Sequence, residues 1–459
     1  MKDSMKLSKT IGKIEDAFER LYFAKARAKE EKMEENQKIG EAKGLDDDEI
    51  EKMPTPKAWS YNTWQTYKDM AIGFVREINK ETGYADMKKI GGCFEKHIHS
   101  KMEKFFQGNI SEAYNMKTLI ASSKALNEAI LSTKAFTSNV ENRAKFVVQD
   151  VDKMQKLLAD SNVLRYSAGS KVLTPNREEL QSVFRNIKND GHGMKDDDSN
   201  MRRIAYVSSR LQHASGGRIT NTLGLKVDQV RELLTTGAIT FRKDKGGLTR
   251  EVVEIPLDKE LRTELNHMIV GKKDNHRVFL AKKNDGKFLS IKETRKSVSE
   301  LVKQAGSHLS REQNITIKDK DGNKKIVTVQ KEFSSHSFRK GFALERTVAY
   351  VQRFKSVQEA EAYIKERSKS NPKIWNKYQK VKQRINDLRR QSDGTYKGRQ
   401  TERDLTRLEF AFFCASVDLG HFRLGIVENY YCSPEEVIKE YEKEFGEYER
   451  FEGDKKRGL

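Results

Sequence analysis

Near one end of the chain a histidine is followed by two adjacent tyrosines, one of which could attack a phosphate. The stretch LGHFRLGIVENYY contains His421 and, nine residues later, Tyr430, which Tyr431 follows directly. A tyrosine phenol has a pKa of about 10, so its phenolate is a better leaving group than an alkoxide. A phenol can therefore take the place of an alkoxide on a phosphodiester and later be displaced again. The alternative is that these aromatic rings only fill a core.

The same chemistry needs cations that hold the phosphate and a group that protonates the leaving oxygen. Arginine suits the first task, because its guanidinium matches phosphate geometry and stays charged. Arg218 occurs in GGRITNTLGLKVDQV near a predicted helix start, and HSFRKGFA places His336 and Arg339 on one helix face. A lysine or histidine can donate the proton. Lys245 in the turn KDKGG is the favoured donor, and Lys243 is the alternative.

The composition favours a polyanionic partner. Lysine and arginine number 88 and aspartate and glutamate 68, which gives a formal net charge of +20 over 459 residues. Nucleic acid is the simplest polyanion of that kind. The three cysteines form no CxxC pair, the beginning of the chain lacks the apolar stretch of a signal peptide, and no long apolar run occurs. We therefore expect a soluble cytoplasmic protein with no membrane span.

Hydrophobic periodicity predicts a mainly α protein whose later part is α+β. Residues 1–53 read as a charged helical N-terminal extension, and a proline-containing linker follows. Residues 54–165 carry amphipathic helical patterns and are predicted to form a helical domain. Residues 170–459 mix helices with small hairpins. Within this part, 355–404 is a basic helical insertion and 433–451 a tail helix.

Turn and cap signals place the candidate residues on elements. Alternating β-formers around a glycine-containing turn predict hairpins at 238–257, which carries the lysines, and at 314–330, with Asp321–Gly322 at its turn. Thr174 before Pro175 predicts a helix start with the threonine as N-cap. In the tail, Ser433 is predicted to cap a helix in the same way.

The order of these motifs resembles the tyrosine recombinase (phage integrase-like) family. That family has an arginine box, a lysine in a β-hairpin, H-x-x-R, and L-G-H with the nucleophilic tyrosine nine residues after the histidine. The match spans about residues 170 to 450, and the helical domain before it resembles the family's core-binding domain in position and pattern only. The catalytic residues that the resemblance implies are Arg218, Lys245, His336, Arg339, His421 and Tyr430.

The resemblance implies a site-specific DNA recombinase or integrase. Tyr430 would attack, Arg218 and Arg339 would hold the phosphate, Lys245 would be the general acid, and the two histidines would assist proton transfer. Cleavage would pass through a 3′-phosphotyrosyl intermediate and a Holliday junction, without metal, ATP or another cofactor. The implied partners are double-stranded DNA, three further protomers in a homo-tetramer on paired sites, and accessory DNA-bending proteins. The implied location is the nucleoid of a prokaryotic cell, with a mobile element as one origin.

Three other functions stay open at this point. A hairpin telomere resolvase or a type IB topoisomerase would share the chemistry, and a catalytically inactive architectural protein would share only the DNA binding. An RNA-binding scaffold is disfavoured because no recognisable stacking motif occurs.

The sequence departs from the family pattern in two places. Asn221 stands in the arginine box where the family usually has an acid, and 82 positions separate Arg339 from His421, many more than the family needs. The insertion at 355–404 accounts for the excess. It could contact DNA or a neighbouring protomer, or be a solvated helical hairpin without a specific role.

Two sequence patterns resemble metal sites without completing one. Cys93, His97 and His99 offer at most three scattered ligands, so a structural helix is the better interpretation. The stretch DKDGN resembles part of a calcium-binding loop but is flanked by β-formers, which favours a hairpin turn. We therefore expect no metal site.

Overall fold

The computed structural model divides the chain into two compact units. The first comprises Met1–Ala168 and Gln313–Val329, and the second comprises Gly169–Glu312 and Gln330–Leu459. Helices are the main element and the strands form only small pairs, which confirms the predicted mainly α class. The structure describes residues 2–43, 45, 50, 53–109, 111–161, 163, 171–189, 201–242, 249–282, 286–318, 323–391, 393–397 and 401–451.

The first unit is built around helices whose apolar faces meet in one core. They are α1 (Lys2–Ala42), α2 (Tyr61–Thr82), α3 (Met87–Ile90), α4 (Phe94–Phe106), α5 (Ser111–Ser132) and α6 (Val151–Asp160). Ser60 starts α2 by accepting a hydrogen bond from the backbone of Thr63, and Gly83 ends it in the left-handed conformation. Phe74 and Phe94 pack edge to face in the core, at a centroid distance of 5.6 Å.

The N-terminal helix belongs to this core. Ile14, Phe18 and Leu21 of α1 are buried, and the indole of Trp64 donates a hydrogen bond to the carbonyl of Phe18 at 3.1 Å. Residues 24–43, by contrast, are mostly exposed, as the charged pattern predicts. The first half of the predicted extension is therefore an integral part of the helical unit.

The second unit holds all the candidate site residues. Its elements, with the two strands that it shares with the first unit, are α7 (Arg177–Asn189), α8 (Met201–Ser215), α9 (Ile219–Leu223), α10 (Val227–Thr236), β1 (Ile239–Phe241), β2 (Arg250–Val252), α11 (Lys259–Ile269), α12 (Ile291–Ala305), β3 (Ser310–Lys318), β4 (Lys324–Glu332), α13 (Ser335–Arg353), α14 (Val357–Ser370), α15 (Lys373–Asp387), α16 (Arg407–Asp418), α17 (Leu424–Ile426) and α18 (Pro434–Phe445). Helix α13 packs against α8, α16 and α18 and is the central element of the unit.

Both predicted hairpins pair as strands. In the first, β1 and β2 are antiparallel, with Phe241 opposite Arg250. In the second, β3 pairs with β4, and the strands extend a few residues further than the pattern predicted. The turn residues 243–248 and 319–322 lie outside the described part of the chain.

The predicted cap at Thr174 is wrong. Helix α7 begins at Arg177, and Asn176 caps it: the Asn176 side chain accepts from the backbone N–H of Glu179 at 3.0 Å, and the Glu179 carboxylate accepts from the backbone of Asn176 at 2.9 Å. Asparagine caps at least as well as threonine, so the helix starts two residues later. The Thr174 hydroxyl instead donates to the carbonyl of Tyr431 at 2.7 Å, which ties this segment to the tyrosine pair.

The basic insertion is docked on the second unit. Ile364 of α14 and Ile374 and Tyr378 of α15 are buried in its core, and the Tyr378 ring stacks on Phe410 of α16 at a centroid distance of 5.9 Å. An amphipathic helical hairpin buries its apolar stripe in this way. One face of the insertion is therefore core and the other is exposed, and a contact of the exposed face with DNA or a neighbouring protomer stays a prediction.

The tail helix starts as predicted. The Ser433 side chain accepts from the backbone N–H of Glu436 at 3.2 Å, and the Glu436 carboxylate accepts from the backbone of Ser433 at 2.8 Å. Val437 and Tyr441 of α18 are buried against α13 of the same chain.

Candidate active site

Arg339 lies at the centre of the candidate site. At the start of α13 the Ser337 hydroxyl accepts from the backbone N–H of Ser334 at 3.1 Å, and this start places His336 in the first turn and Arg339 one turn further on. The Arg339 side chain is 0% exposed. A buried charge is costly unless its donors are paired, so the surroundings of this guanidinium must supply acceptors.

Those acceptors come from three separate segments of the chain. Arg339 donates to the carbonyl of Gly216 through Nη1, to the carbonyl of Leu419 through Nη2 at 2.6 Å, and to the hydroxyl of Tyr431 through Nε at 2.9 Å. Its Nη2 also lies 3.3 Å from Nε2 of His421. One guanidinium therefore holds the arginine-box loop, the LGH turn and the tyrosine turn together.

The LGH turn orients His421. Helix α16 ends at Asp418, and two residues later Gly420 is left-handed with φ 72°. The backbone N–H of His421 then bonds back to the carbonyl of Ser416 at 2.9 Å. A Cβ atom at position 420 would lie 2.6 Å from Cδ of Arg250. Glycine is needed here for both reasons, and the sharp turn directs the histidine towards Arg339.

The tyrosine pair lies in a π-helical turn formed by Val427–Tyr431. The backbone N–H of Cys432 closes this turn on the carbonyl of Val427 at 3.1 Å, and the Thr174 hydroxyl holds the carbonyl of Tyr431. Because π-helical turns widen a helix locally and occur often at functional sites, they are suited to placing two successive side chains in one cluster.

The hydroxyl that contacts both Arg339 and His421 belongs to Tyr431. Its oxygen lies 2.9 Å from Nε of Arg339 and 3.1 Å from Nε2 of His421, and the residue is only 3% exposed. A phenol in this position can share a proton with the imidazole, and its oxygen receives the positive potential of the guanidinium. A phosphate oxygen would be stabilised by the same two groups.

Tyr430, the predicted nucleophile, lies directly beside Tyr431. Its ring packs edge-on against Tyr431 with centroids 5.0 Å apart, and lies 5.7 Å from the ring of His336. The ammonium of Lys340 lies 5.2 Å from the centre of the Tyr430 ring. Tyr430 is half-buried, so it is the more accessible of the two phenols.

His336 is a neutral imidazole in this site. Burial, together with the positive charges of Arg339, Lys340 and Arg218, lowers its pKa to about 4. Its Nε2 atom is buried and has no hydrogen-bond partner among the described residues. A neutral ring with a buried nitrogen of this kind is suited to receive a hydrogen bond from, or donate one to, a bound ligand.

The nearby phenol and ammonium also prefer their uncharged forms more than usual. Burial raises the pKa of Tyr430, with a further contribution from Tyr431, while Arg339 opposes the shift. Burial lowers the pKa of Lys340 to about 8, helped by Lys331. The Lys340 ammonium donates to the carbonyl of Val172 at 3.0 Å.

The arginine-box loop brings the second predicted arginine to the same cluster. Arg218 is the first residue before α9, is partly exposed, and is close enough for its charge to lower the pKa of His336. The predicted general acids Lys243 and Lys245 fall on the turn 243–248, outside the described residues. The structure therefore brings five of the six predicted residues into one region and does not describe the sixth.

No protein-family model matches the chain, and no curated protein matches its sequence. The chemistry of the site has to be inferred from the geometry of its side chains and from the order of the motifs.

No group of three or more metal-ligating side chains occurs among the described residues. His97 is buried in the first unit, with its Nε2 atom 3.3 Å from the carboxylate of Glu77, and Cys93 lies half-buried in a short 3₁₀ turn. In the part of the chain that the structure describes, no helix is both long and apolar enough to cross a bilayer.

Arg250 was not predicted from the sequence, and it binds backbone carbonyls on two segments next to the candidate site. Its guanidinium is buried against the ring of Phe241, with 4.3 Å to the ring centre, and donates to the backbone carbonyls of Asp418 and Ser215. A signal was present: Arg250 and Val252 alternate on the inward face of β2, where a charge has to find buried partners. No sequence pattern predicted the hydrogen bonds that Tyr431 and Thr174 make.

Proposed function

We propose that this protein is a site-specific DNA recombinase that cuts and rejoins strands through a tyrosyl-phosphate intermediate. One observation carries the proposal: polar atoms of Arg339, His421 and Tyr431, the neighbour of Tyr430, lie within 3.3 Å of one another. Arg339 and His421 are 82 residues apart in the sequence. His336 and Arg218 add a neutral donor or acceptor and a second cation at the same place. The order of the motifs along the chain supports the same chemistry.

The proposed reaction is a transesterification at a DNA backbone phosphate. The phenol oxygen forms a bond to phosphorus, the bond from phosphorus to the 5′ oxygen breaks, and the strand is left joined to the enzyme through its 3′ phosphate. The phenolic proton leaves to a neighbouring base, and the 5′ oxygen takes up a proton. The two guanidinium groups stabilise the charge on the non-bridging oxygens. Attack by a free 5′ hydroxyl reverses the steps and releases the tyrosine.

Within this proposal Tyr430 is the nucleophile, and Tyr431 holds Arg339 and His421 in place while DNA is absent. Spacing from His421 and partial exposure favour Tyr430, because a nucleophile has to reach a phosphate in a bulky duplex. Tyr431 is enclosed, and its hydroxyl takes the position beside the guanidinium that a phosphate oxygen needs. Phosphate binding would displace that hydroxyl from Arg339.

Covalent capture tests the function and the nucleophile together. The wild-type chain is incubated with a pool of nicked suicide duplexes of randomised sequence, and adducts that survive denaturation are isolated. We expect an adduct with the wild type, none with Tyr430→Phe, and an adduct with Tyr431→Phe, because only the first variant lacks the attacking oxygen. Peptide mapping of the adduct then identifies the modified tyrosine.

The three other outcomes are distinct. An adduct that persists in Tyr430→Phe and disappears in Tyr431→Phe would move the nucleophile to Tyr431 and keep the function. A wild type that retains duplexes without covalent capture would favour an architectural DNA-binding protein. Relaxed or hairpin products from captured sites, instead of recombinants, would favour a topoisomerase or a telomere resolvase.

The proposal extends to the assembly and its location. Strand exchange between two duplexes needs four active sites, so four protomers on paired sites are part of the proposed function, with DNA-bending proteins as accessory partners. A DNA substrate would place the protein at the nucleoid in the cytoplasm. Neither a metal nor a nucleotide is required by the proposed chemistry.

A further inference from the structure

The insertion contacts the buried carboxylate of Asp418, which lies next to the candidate site. Asp418 is 0% exposed and is the last residue of α16, directly before the LGH turn. Its Oδ1 atom lies 3.1 Å from Nη1 of Arg367, which belongs to insertion helix α14. Its Oδ2 atom accepts from Nε of Arg346 at 2.8 Å and from the hydroxyl of Tyr350 at 2.7 Å. The insertion thus supplies one of the two guanidinium groups that neutralise this carboxylate.

The arrangement around Asp418 is a closed network. The Tyr350 hydroxyl lies 3.1 Å from that of Tyr363, another α14 residue, and Arg367 donates to Tyr363 at 3.3 Å. Burial alone would raise the pKa of Asp418, but Arg346 and Arg367 outweigh this effect and hold the pKa below its ordinary value. The carboxylate is therefore charged and fixed from two sides.

Asp418 is connected to the site by the backbone. Its own carbonyl accepts from Arg250, and the carbonyl of the next residue, Leu419, accepts from Nη2 of Arg339 at 2.6 Å. The amides of Gly420 and His421 bond back into α16, to the carbonyls of residues 417 and 416, at 2.8 and 2.9 Å. A displacement of the Asp418 side chain would therefore reach the acceptor of Arg339 and the position of the His421 ring within three residues.

We infer that the 357–387 hairpin is a positioning element whose Arg367 fixes Asp418 and, through it, the turn that carries His421. Arg367 is a positioning residue and not a catalytic one, because it contacts the carboxylate and the Tyr363 hydroxyl and acts on the site through the LGH turn. The catalytic consequence rests on the proposed function, whereas the ordering of the turn does not.

Amide hydrogen exchange measures the ordering of the turn without any substrate. In Arg367→Gln we expect peptides that cover residues 416–423 to exchange about tenfold faster than in the wild type, because Asp418 loses one of its two guanidinium partners. Arg346 can still pair with Asp418 in this variant, so we expect the unit to fold. Arg367→Lys keeps the charge with a less suitable geometry and should restore part of the protection.

A matched control lies on the same helix. Lys369 is 74% exposed and pairs only with Glu366 in the described structure, so Lys369→Gln should leave the exchange of the turn unchanged. Equal exchange in Arg367→Gln and the wild type would overturn the inference, and so would equal acceleration in Lys369→Gln. If Arg367→Gln fails to fold, the Arg367→Lys variant decides the question by the same measurement.

The covalent-capture assay then separates positioning from DNA contact. Arg367→Gln should slow single-turnover adduct formation about tenfold and leave DNA affinity unchanged. A variant that loses affinity and rate in the same proportion would show that Arg367 contacts DNA, which would contradict a purely positioning role. If the wild type forms no adduct, the proposed function fails, while the exchange result still decides whether Arg367 orders the turn.

Discussion

The side chains of the candidate site differ in how fully their polar atoms are paired. Arg339 has acceptors for Nε, Nη1 and Nη2, whereas the buried Nε2 atom of His336 has no partner among the described residues. Burying an unpaired polar atom costs free energy, so this nitrogen weakens the folded state. Such a cost is expected where the missing partner is a ligand. Under the proposed function the partner would be an oxygen of the scissile phosphate.

This interpretation of His336 predicts a pH dependence of stability. The pKa of His336 is about 4 in the folded chain, against an ordinary value of 6.5, so the unfolded chain binds a proton in this window that the folded chain resists. The free energy of unfolding should therefore fall as the pH decreases from 6.5 to 4, by about 2–4 kcal/mol from this residue. In His336→Gln the curve should be flatter over that window. Urea unfolding at several pH values measures it.

The exposed His99 provides the control for that measurement. Its side chain is 51% exposed, so His99→Gln removes a histidine without opening a buried site, and the fall in stability between pH 6.5 and 4 should remain. A His336→Gln curve as steep as that of the wild type would mean that other groups cause the acid sensitivity. The buried imidazole would then not be the neutral group described above.

Motifs identified most of the site at the level of residue types but not its bonding. The spacings H-x-x-R and LGH pointed to side chains that the structure brings together, because a helix face and a glycine-ended helix have fixed local geometry. Motif spacing could not predict which of the two tyrosine hydroxyls contacts Arg339 and His421. That choice depends on the π-helical turn and on the Thr174 bond to Tyr431, and that bond joins residues 257 positions apart.

At the level of elements, local signals predicted the strand pairs and the tail helix but not the packing of the insertion. Strand alternation and capping residues act within a few positions, so β1, β2 and α18 could be predicted from the sequence. The position of α14 and α15 depends on Arg367 meeting Asp418 and Tyr378 meeting Phe410. These are contacts between distant segments that no periodicity encodes.

The end of α16 gives a prediction at this scale. Gly420→Ala places a Cβ in a left-handed conformation and 2.6 Å from Cδ of Arg250, so two penalties add. Gly237 at the end of α10 has the same φ of 72° with nothing within 4 Å, so Gly237→Ala isolates the backbone penalty of about 1–2 kcal/mol. We expect Gly420→Ala to lose about 1–3 kcal/mol more than this control. Urea unfolding measures both, and equal losses would show that Arg250 moves aside freely.

At the scale of the whole molecule, the surplus of positive charge is the property that the sequence establishes most directly. The formal net charge of +20 favours a polyanion, and the docked insertion adds a specific surface. Lys373, Lys380 and Arg384 are exposed and recur along one side of α15, while Ile374 and Tyr378 face the core. We call these three residues the α15 basic stripe. Helix α15 therefore buries one face in the core and exposes a row of cations on another face.

Salt dependence tests the polyanion partner and the role of this stripe. For the full chain on a 40-base-pair duplex, log affinity should fall linearly with log salt, and six to ten phosphate contacts would reduce affinity by about 10³–10⁵ between 50 and 200 mM. Replacing all three residues of the α15 basic stripe by glutamine should lower the slope by about 2–3, since each lost phosphate contact removes roughly 0.9 from it. The control is Lys369→Gln on α14. An unchanged slope in the triple variant would remove the stripe from the DNA surface, and an affinity independent of salt would contradict a polyanionic partner altogether.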